Sequence, residues 1–112
     1  MARLILMFNN QVVKEHPLKK ESITIGRNDD NLITIDNLAV SGYHARIDSA
    51  GSDYILTDLQ STNGTFVSAN GGEEICLMSE EEFPLSGSGV IGLGEMTSSN
   101  SDHLIRYSCK TI

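Results

Sequence analysis

The run of residues 25–67 decides the fold of this chain. It contains Ile-Gly-Arg at 25–27, Val-Ser-Gly-Tyr-His at 40–44 and Asp-Leu-Gln-Ser-Thr-Asn-Gly-Thr-Phe-Val at 58–67. Each segment sets a glycine and polar side chains beside short apolar stretches, which is the pattern of β-strands joined by tight turns. We therefore predict that the polar groups of these three segments lie in turns at strand ends.

Short β-type stretches continue on both sides of this run. They predict strands at Leu4–Phe8, Val12–Lys14, Glu21–Gly26, Ile33–Ile35, Tyr43–Asp48, Asp53–Asp58, Thr65–Val67, Glu74–Leu77, Val90–Leu93 and His103–Cys109. Turn residues at 49–52 and 70–72 predict hairpins, and residues 95–102 read as a polar loop. A helical turn is conceivable only at Met78–Glu82. The pattern as a whole favours a β-sandwich.

Composition limits the classes to which the protein can belong. Its 112 residues suit one domain, which we place at 1–112 with a strand core at about 3–109. The net charge of −7, with only 8 Lys and Arg residues, argues against a nucleic-acid partner. The apolar run at residues 4–8 is too short for a signal peptide or a membrane span, so we predict a cytoplasmic protein without a membrane partner.

The two cysteines give no sign of a metal site. Cys76 and Cys109 lie far apart and form neither a C-x-x-C motif nor a zinc-ligand pattern with histidine. We predict two reduced, mostly buried thiols, as is usual in a reducing cytoplasm. A disulfide between two late strands is the alternative. No cofactor is expected.

Several groups in the opening run have the chemistry that binds a phosphate and the peptide attached to it. The guanidinium of Arg27 offers a planar, permanently charged fork. The hydroxyl of Ser41 can donate to a phosphate oxygen, and Gly42 lets a backbone N–H approach the same group. Thr62 adds a hydroxyl, and the amide of Asn63 suits the backbone of an extended peptide.

Each of these residues also has an ordinary structural interpretation. Arg27 could pair with Asp29 or Asp30 on the surface. Ser41-Gly42 could be a plain turn, and Asn63-Gly64 is the preferred pair of a type I′ hairpin turn. Single residues therefore leave these alternatives open, and the decision rests on their order along the chain.

Two patterns suggest enzymes and fail on inspection. His44 follows Ser41 by three residues, as a base might follow a nucleophile, but no third orienting group and no Gly-x-Ser-x-Gly elbow accompany them. We expect His44 to bond backbone groups and fix its loop. Residues 87–92 spell G-x-G-x-x-G, yet they precede a β-type run and not a helix, so we expect turn glycines and no nucleotide site. We predict that the chain is not an enzyme.

The order and spacing of the segments resemble the forkhead-associated (FHA) family. Gly-Arg is followed about fourteen residues later by Ser-x-x-His, and about seventeen residues after that by Ser-Thr-Asn-Gly-Thr. Asp58-Leu59 fits the same family, as does Leu85 followed by Val90-Ile91-Gly92-Leu93-Gly94. The resemblance covers nearly the whole chain. It implies an all-β, FHA-type β-sandwich of about 11 short, mostly antiparallel strands, with binding loops at one edge.

The resemblance also implies a function. Such a module recognises phosphothreonine in a partner protein or peptide and mediates phosphorylation-dependent protein–protein interaction in signalling. Carried over by position, the phosphopeptide-binding groups are Arg27 and Ser41 with the Gly42 N–H on the phosphate, Thr62 at the threonine methyl, and Asn63 on the peptide backbone. The residues that shape the loops are Gly26, His44 and Gly64.

One position departs from the family pattern. Many members have Arg, Lys or Asn after the serine, where this chain has Gly42, so one side-chain contact to phosphate is missing and a modest affinity is expected. Modules of this family are commonly fused to others, so we expect an N-terminal module of a larger protein that is monomeric in isolation. The alternative function is a phosphate-independent interaction or assembly module that uses the same loops or a sheet face.

Overall fold

The computed structural model describes residues 3–8, 11–17, 22–50, 53–97 and 104–109. Within these residues it contains eleven strands and no helix. The strands are β1 (Arg3–Phe8), β2 (Gln11–Pro17), β3 (Ile23–Gly26), β4 (Ile33–Thr34), β5 (Ala45–Ala50), β6 (Asp53–Asp58), β7 (Thr65–Ala69), β8 (Glu74–Leu77), β9 (Glu82–Leu85), β10 (Ser88–Leu93) and β11 (Ile105–Ser108).

The strands form two sheets. The six-stranded sheet has the order β2-β1-β11-β10-β7-β8, and the five-stranded sheet has the order β4-β3-β5-β6-β9. Neighbouring strands are antiparallel except for the parallel pair of β3 and β4. The predicted all-β sandwich of about 11 short, mostly antiparallel strands is confirmed.

One hydrophobic core lies between the sheets. Period-two alternation turns every second side chain of a strand inward, so that Ile23 and Ile25 of β3 are buried while Thr24 between them is not. Residues from both sheets complete the core, among them Ala45, Ile47, Leu56, Val67, Leu85, Ile91, Leu93, Ile105 and Tyr107. This packing fixes the strand ends from which the loops of the next subsection emerge.

The segment in which a helical turn was conceivable, Met78–Glu82, is a tight turn that leads into β9. Ser79 and Glu80 have φ angles of 52° and 71°, which an α-helix does not contain. The Glu81 N–H closes the turn on the Met78 carbonyl at 3.1 Å. The sequence pattern missed β9 because it is short and contains Pro84, which is accommodated at the edge of the five-stranded sheet.

The two Asn-Gly pairs of the chain differ in conformation. Asn70 and Gly71 both have positive φ angles, 52° and 72°, and form the predicted tight hairpin between β7 and β8. Asn63-Gly64 is not a hairpin turn, since the strands on either side of it, β6 and β7, belong to different sheets. Of this pair, Gly64 alone has a positive φ, 86°. The type I′ interpretation of Asn63-Gly64 is therefore wrong, and the loop crosses between the sheets.

The cysteine prediction is right about bonding and wrong about burial. Cys76 and Cys109, which both lie in the described part of the chain, form no disulfide. Cys76 is exposed because β8 is an edge strand, and Cys109 is only partly buried beside the core.

Some predictions lie outside the described residues. They concern residues 9–10, 21, 51–52 and 98–103, which include turn residues and the ends of two predicted strands. In the part of the chain that the structure does describe, no helix is long and apolar enough to cross a lipid bilayer.

Candidate functional site

Three loops meet at one end of the five-stranded sheet. The β3–β4 loop follows Gly26, the β4–β5 loop ends at His44, and the β6–β7 loop follows Asp58. Ile25, Ala45 and Asp58 are in register across β3, β5 and β6. Because these strands are antiparallel neighbours, the end of β3, the start of β5 and the end of β6 lie side by side.

Backbone hydrogen bonds lock the first two loops together. The N–H of Arg27 donates to the Ser41 carbonyl at 2.9 Å, and the N–H of Asn28 donates to the Gly42 carbonyl at 3.1 Å. A Cβ atom at Gly26 would lie 2.3 Å from the Gly42 carbonyl oxygen, closer than atoms can approach. Glycine at position 26 is therefore a requirement of this contact between the loops.

Three hydrogen-bond donors remain available at this junction. The hydroxyl of Ser41 accepts the Thr62 N–H at 3.0 Å, which leaves its own proton for a ligand. The Gly42 N–H has no partner among the described residues, and in a trans peptide it points opposite to the Ser41 carbonyl. The exposed guanidinium of Arg27 has no ion pair or hydrogen bond within the described segments, so pairing with Asp29 or Asp30 is not observed.

The third loop adds the remaining predicted residues. Thr62 and Asn63 are both exposed. The amide nitrogen of Asn63 donates to the carbonyl of Ala39 at 3.0 Å, which fixes the side chain against the β4–β5 loop. The amide oxygen, a hydrogen-bond acceptor, has no partner in the described part of the chain and is available to a peptide N–H.

His44 is buried beneath the loops and joins two of them. Its Nδ1 accepts the Ser41 N–H at 3.0 Å, so the proton is on Nε2, which donates to the Gly64 carbonyl at 2.7 Å. Burial lowers the pKa of His44 below its usual value, which favours this neutral form. The ring bonds the backbone of Ser41 and not its hydroxyl, so the geometry of a nucleophile with its base is not present here.

Polar side chains of the β3–β4 and β4–β5 loops form a second, more exposed group. The hydroxyl of Tyr43 donates to the carboxylate of Asp30, and this bond raises the pKa of the phenol. The side chain of Asn28 also bonds the Tyr43 hydroxyl and acts on the pKa in the opposite direction. Asp29 and Asp30 follow Arg27 in the same loop and add two negative charges to it.

Residues 23–94 match the family model described as the FHA domain, which is more than half of the chain. The chain belongs to the FHA domain family. The match spans β3 to β10 and therefore includes all three loops of this FHA domain. The family consists of interaction modules and not of enzymes.

Relatives of known sequence and structure agree with this assignment. The transcriptional regulatory protein EmbR of Mycobacterium tuberculosis is 42% identical over 52 residues, 46% of this chain and 13% of EmbR. A structure of EmbR in complex with a low affinity phosphopeptide has a TM-score of 0.71 at 27% identity, covering 97% of this chain and 25% of that one.

Two further solved structures match over nearly their whole length. The FhaA FHA domain complexed with the intracellular domain of Rv3910 has a TM-score of 0.70 at 28% identity, covering 96% of this chain and 99% of that one. A structure from an analysis of phosphothreonine-dependent FHA domain interactions has a TM-score of 0.71 at 26% identity, covering 98% and 99%. By contrast, this chain spans only about an eighth of the length of EmbR.

The structure brings the predicted residues of this FHA domain together and adds four for which the sequence predicts no role. Asp58 is fully buried; one of its carboxylate oxygens accepts the hydroxyls of Ser61 at 2.5 Å and Thr65 at 2.6 Å. The other oxygen accepts the Ser61 N–H at 3.1 Å, and the Ser61 hydroxyl accepts the Gly64 N–H at 2.9 Å. The Asp-x-x-Ser spacing is a signal for this turn.

Asn31 is the fourth added residue. It is buried, and its amide nitrogen donates to the Gly42 carbonyl at 2.7 Å and to the Asn28 carbonyl at 2.8 Å. It thereby holds the first two loops at a fixed distance. Its sequence context, Asn28-Asp29-Asp30-Asn31, indicates a loop but gives no sign of which asparagine turns inward.

Proposed function

We propose that the domain binds phosphothreonine in a partner protein and so mediates phosphorylation-dependent protein–protein interaction in signalling. The observation that carries the proposal is the set of donors at the loop junction. The Ser41 hydroxyl, the Gly42 N–H and the Arg27 guanidinium are all available, and they belong to two loops that are bonded to each other. A doubly charged phosphate is the ligand that such donors suit best.

The relatives support the same chemistry. EmbR has been solved with a phosphopeptide, and a second neighbour comes from work on phosphothreonine-dependent interactions. In this proposal, the exposed Thr62 contacts the threonine methyl, and the amide oxygen of Asn63 accepts a peptide N–H. These two roles favour phosphothreonine over phosphoserine and an extended peptide over free phosphate.

The wider setting is also part of the proposal. The chain corresponds to a fraction of EmbR, so we regard it as one module of a longer protein, monomeric by itself and acting in the cytoplasm. Its partner is a phosphorylated protein and neither a nucleic acid nor a membrane, because the net charge of −7 repels polyanions while a few local donors still bind one phosphate. Its position at the N-terminus of that protein stays a prediction.

The decisive experiment is calorimetric titration with three peptides of one sequence, selected from an oriented phosphothreonine library. They carry phosphothreonine, phosphoserine or unmodified threonine. We expect binding of the first, weaker binding of the second and none of the third. Equal affinity for the first and third would establish the phosphate-independent alternative instead.

A matched pair of arginine variants locates the site. Arg27→Ala is expected to weaken phosphopeptide binding by roughly 1.5–3 kcal/mol, the range of hydrogen bonds to a charged group. Arg106→Ala is the control, since Arg106 is also exposed but lies in β11 of the other sheet. Affinity that survives Arg27→Ala unchanged would contradict the assigned site.

A further inference from the structure

We propose that the side-chain amide of Asn28 is a further phosphate-binding group of this domain, a role made possible by the glycine at position 42. The inference rests on the proposed function and extends it by one residue. It is independent of the roles assigned to Arg27 and Ser41, because it depends on the space beside Gly42.

The first step is the contact between Asn28 and Gly42. A Cβ atom at Gly42 would lie 2.8 Å from Nδ2 of Asn28, 3.0 Å from Oδ1 and 3.1 Å from Cγ. The Asn28 amide therefore already lies where a side chain at position 42 would begin. The φ angle of Gly42 does not require a glycine, because it lies outside the left-handed region. A residue larger than glycine at position 42 would instead occupy the space that the Asn28 amide fills.

The second step is the anchoring of Asn28 at the donor cluster. Its backbone N–H is bonded to the Gly42 carbonyl, and its own carbonyl accepts Nδ2 of Asn31. The residue before it is Arg27, and the residue before Gly42 is Ser41. Asn28 is thus held between the two loops that carry the proposed phosphate donors.

The third step is the chemistry of the amide. Its Nδ2 carries two protons, and a bond to the Tyr43 hydroxyl uses at most one of them. Tyr43 in turn donates to Asp30, so that one of the two carboxylates of the β3–β4 loop already has a hydrogen-bond partner. A neutral N–H donor adds a phosphate contact in a loop where the carboxylates of Asp29 and Asp30 outnumber the one guanidinium, that of Arg27. In this domain the contact missing at position 42 is supplied from position 28.

The test is a double-mutant cycle on phosphothreonine-peptide affinity, with Asn28→Ala, Gly42→Ala and the double variant. Asn28→Ala is expected to weaken binding roughly tenfold, as for loss of one hydrogen bond to a charged group. Gly42→Ala keeps its N–H but displaces the Asn28 amide, so it should weaken binding by a similar factor. In the Asn28→Ala background the Gly42→Ala change should then have almost no further effect.

Asn28→Asp separates a phosphate contact from a role in loop shape. It has nearly the same size but replaces the N–H donors with a negative charge, so it should weaken binding more than Asn28→Ala does. If Asn28 only shapes the loop, Asn28→Asp should bind better than Asn28→Ala. That result would overturn the inference.

The outcomes also distinguish this inference from the proposed function. Should Arg27→Ala abolish binding while Asn28→Ala and Gly42→Ala both stay within twofold of the wild type, the phosphothreonine site stands and the role of Asn28 is refuted. Should the wild-type domain bind phosphorylated and unmodified peptides equally, the proposed function itself fails, and the role of Asn28 fails with it.

Discussion

The backbone N–H of Thr62 donates a hydrogen bond to the hydroxyl oxygen of Ser41, at 3.0 Å and between residues 21 positions apart. This bond joins the β4–β5 loop to the β6–β7 loop at the proposed phosphate site. It also orients the hydroxyl, because an oxygen that accepts from Thr62 keeps its proton for another acceptor. The same hydroxyl therefore joins the two loops and keeps a proton available for the proposed phosphate ligand.

Ser41→Ala removes both functions of this oxygen at once. We expect phosphopeptide affinity to fall by at least tenfold, since a bond to a charged group is lost and Thr62 is no longer held. Calorimetry measures the affinity, and Ser86→Ala is the control because Ser86 is exposed at the other end of β9. A variant that retained wild-type affinity would exclude Ser41 from the site.

Gly26→Ala tests the requirement for close contact between the loops. The added Cβ would lie 2.3 Å from the Gly42 carbonyl oxygen, a backbone atom that cannot move without breaking the bonds from Asn28 and Asn31. We expect the free energy of unfolding to fall by about 2 kcal/mol or more, and phosphopeptide affinity to fall with it.

Gly71→Ala is the comparison for this variant. Nothing lies within 4 Å of a Cβ at Gly71, and the cost there comes only from its φ of 72°. That conformation costs about 1–2 kcal/mol for a residue other than glycine, without an effect on affinity. Urea unfolding of the two variants gives both free energies of unfolding. If Gly26→Ala lowered the free energy of unfolding no more than Gly71→Ala and left binding intact, the contact between Gly26 and Gly42 would be shown to contribute to neither stability nor binding.

The sequence predicts the fold well because alternation and turn chemistry are local signals. Ile23 and Ile25 alternate with polar residues, so their burial in β3 follows from the sequence. Strand β9 has no such pattern, since Pro84 interrupts it, and its existence depends on pairing with β6. The Asn63-Gly64 pair misleads for the same reason, because local preference indicates a hairpin while the two sheets impose a crossing.

Positions of the proposed binding residues were also predictable, but the residues that hold them were not. Arg27, Ser41 and Asn63 stand out by motif order. The inward turn of Asn31 depends on which carbonyl oxygens lie near it once the loops have folded, and no spacing encodes that. The contact between Asn28 and Gly42 is likewise a tertiary relationship between residues that are adjacent only in space.

Asp58→Asn tests the buried cluster beneath the β6–β7 loop. Asp58 accepts hydrogen bonds from Ser61 and Thr65, and an amide would direct its own protons toward one of these donors. We expect the free energy of unfolding to fall by roughly 1.5–3 kcal/mol, the range for bonds to a charged group. Asp36→Asn, at an exposed site, should leave the stability within about 0.5 kcal/mol.

The β6–β7 loop should loosen with this change. Ser61 links Asp58 to the Gly64 N–H, so we expect the loss of order to be confined to residues 61–64. Amide hydrogen exchange should therefore accelerate at Gly64 more than in the core strands. Uniform acceleration over the whole domain, or none at all, would contradict a local role for Asp58.

His44 should make the stability of the domain depend on pH in a definite direction. Burial lowers its pKa in the folded state, with the Gly64 carbonyl bond and the charge of Asp58 acting in the opposite direction as smaller effects. Above the pKa of the unfolded chain, about 6.5, both states hold neutral histidine and no penalty arises. As the pH falls below that value, the unfolded state takes up a proton that the folded state resists, and stability decreases until the folded pKa is passed.

The measurement is the free energy of unfolding between pH 7.5 and pH 5 for the wild type and for His44→Gln. We expect the variant to be less stable at pH 7.5, because it loses the bonds to the Ser41 N–H and the Gly64 carbonyl. Its stability should fall less steeply with acidification, since the residue that resists the proton is gone; the slope for one group cannot exceed about 1.4 kcal/mol per pH unit. Parallel curves for the two proteins would show that His44 has the same pKa in the folded and unfolded states. That result would contradict the inference that a neutral His44 positions Ser41.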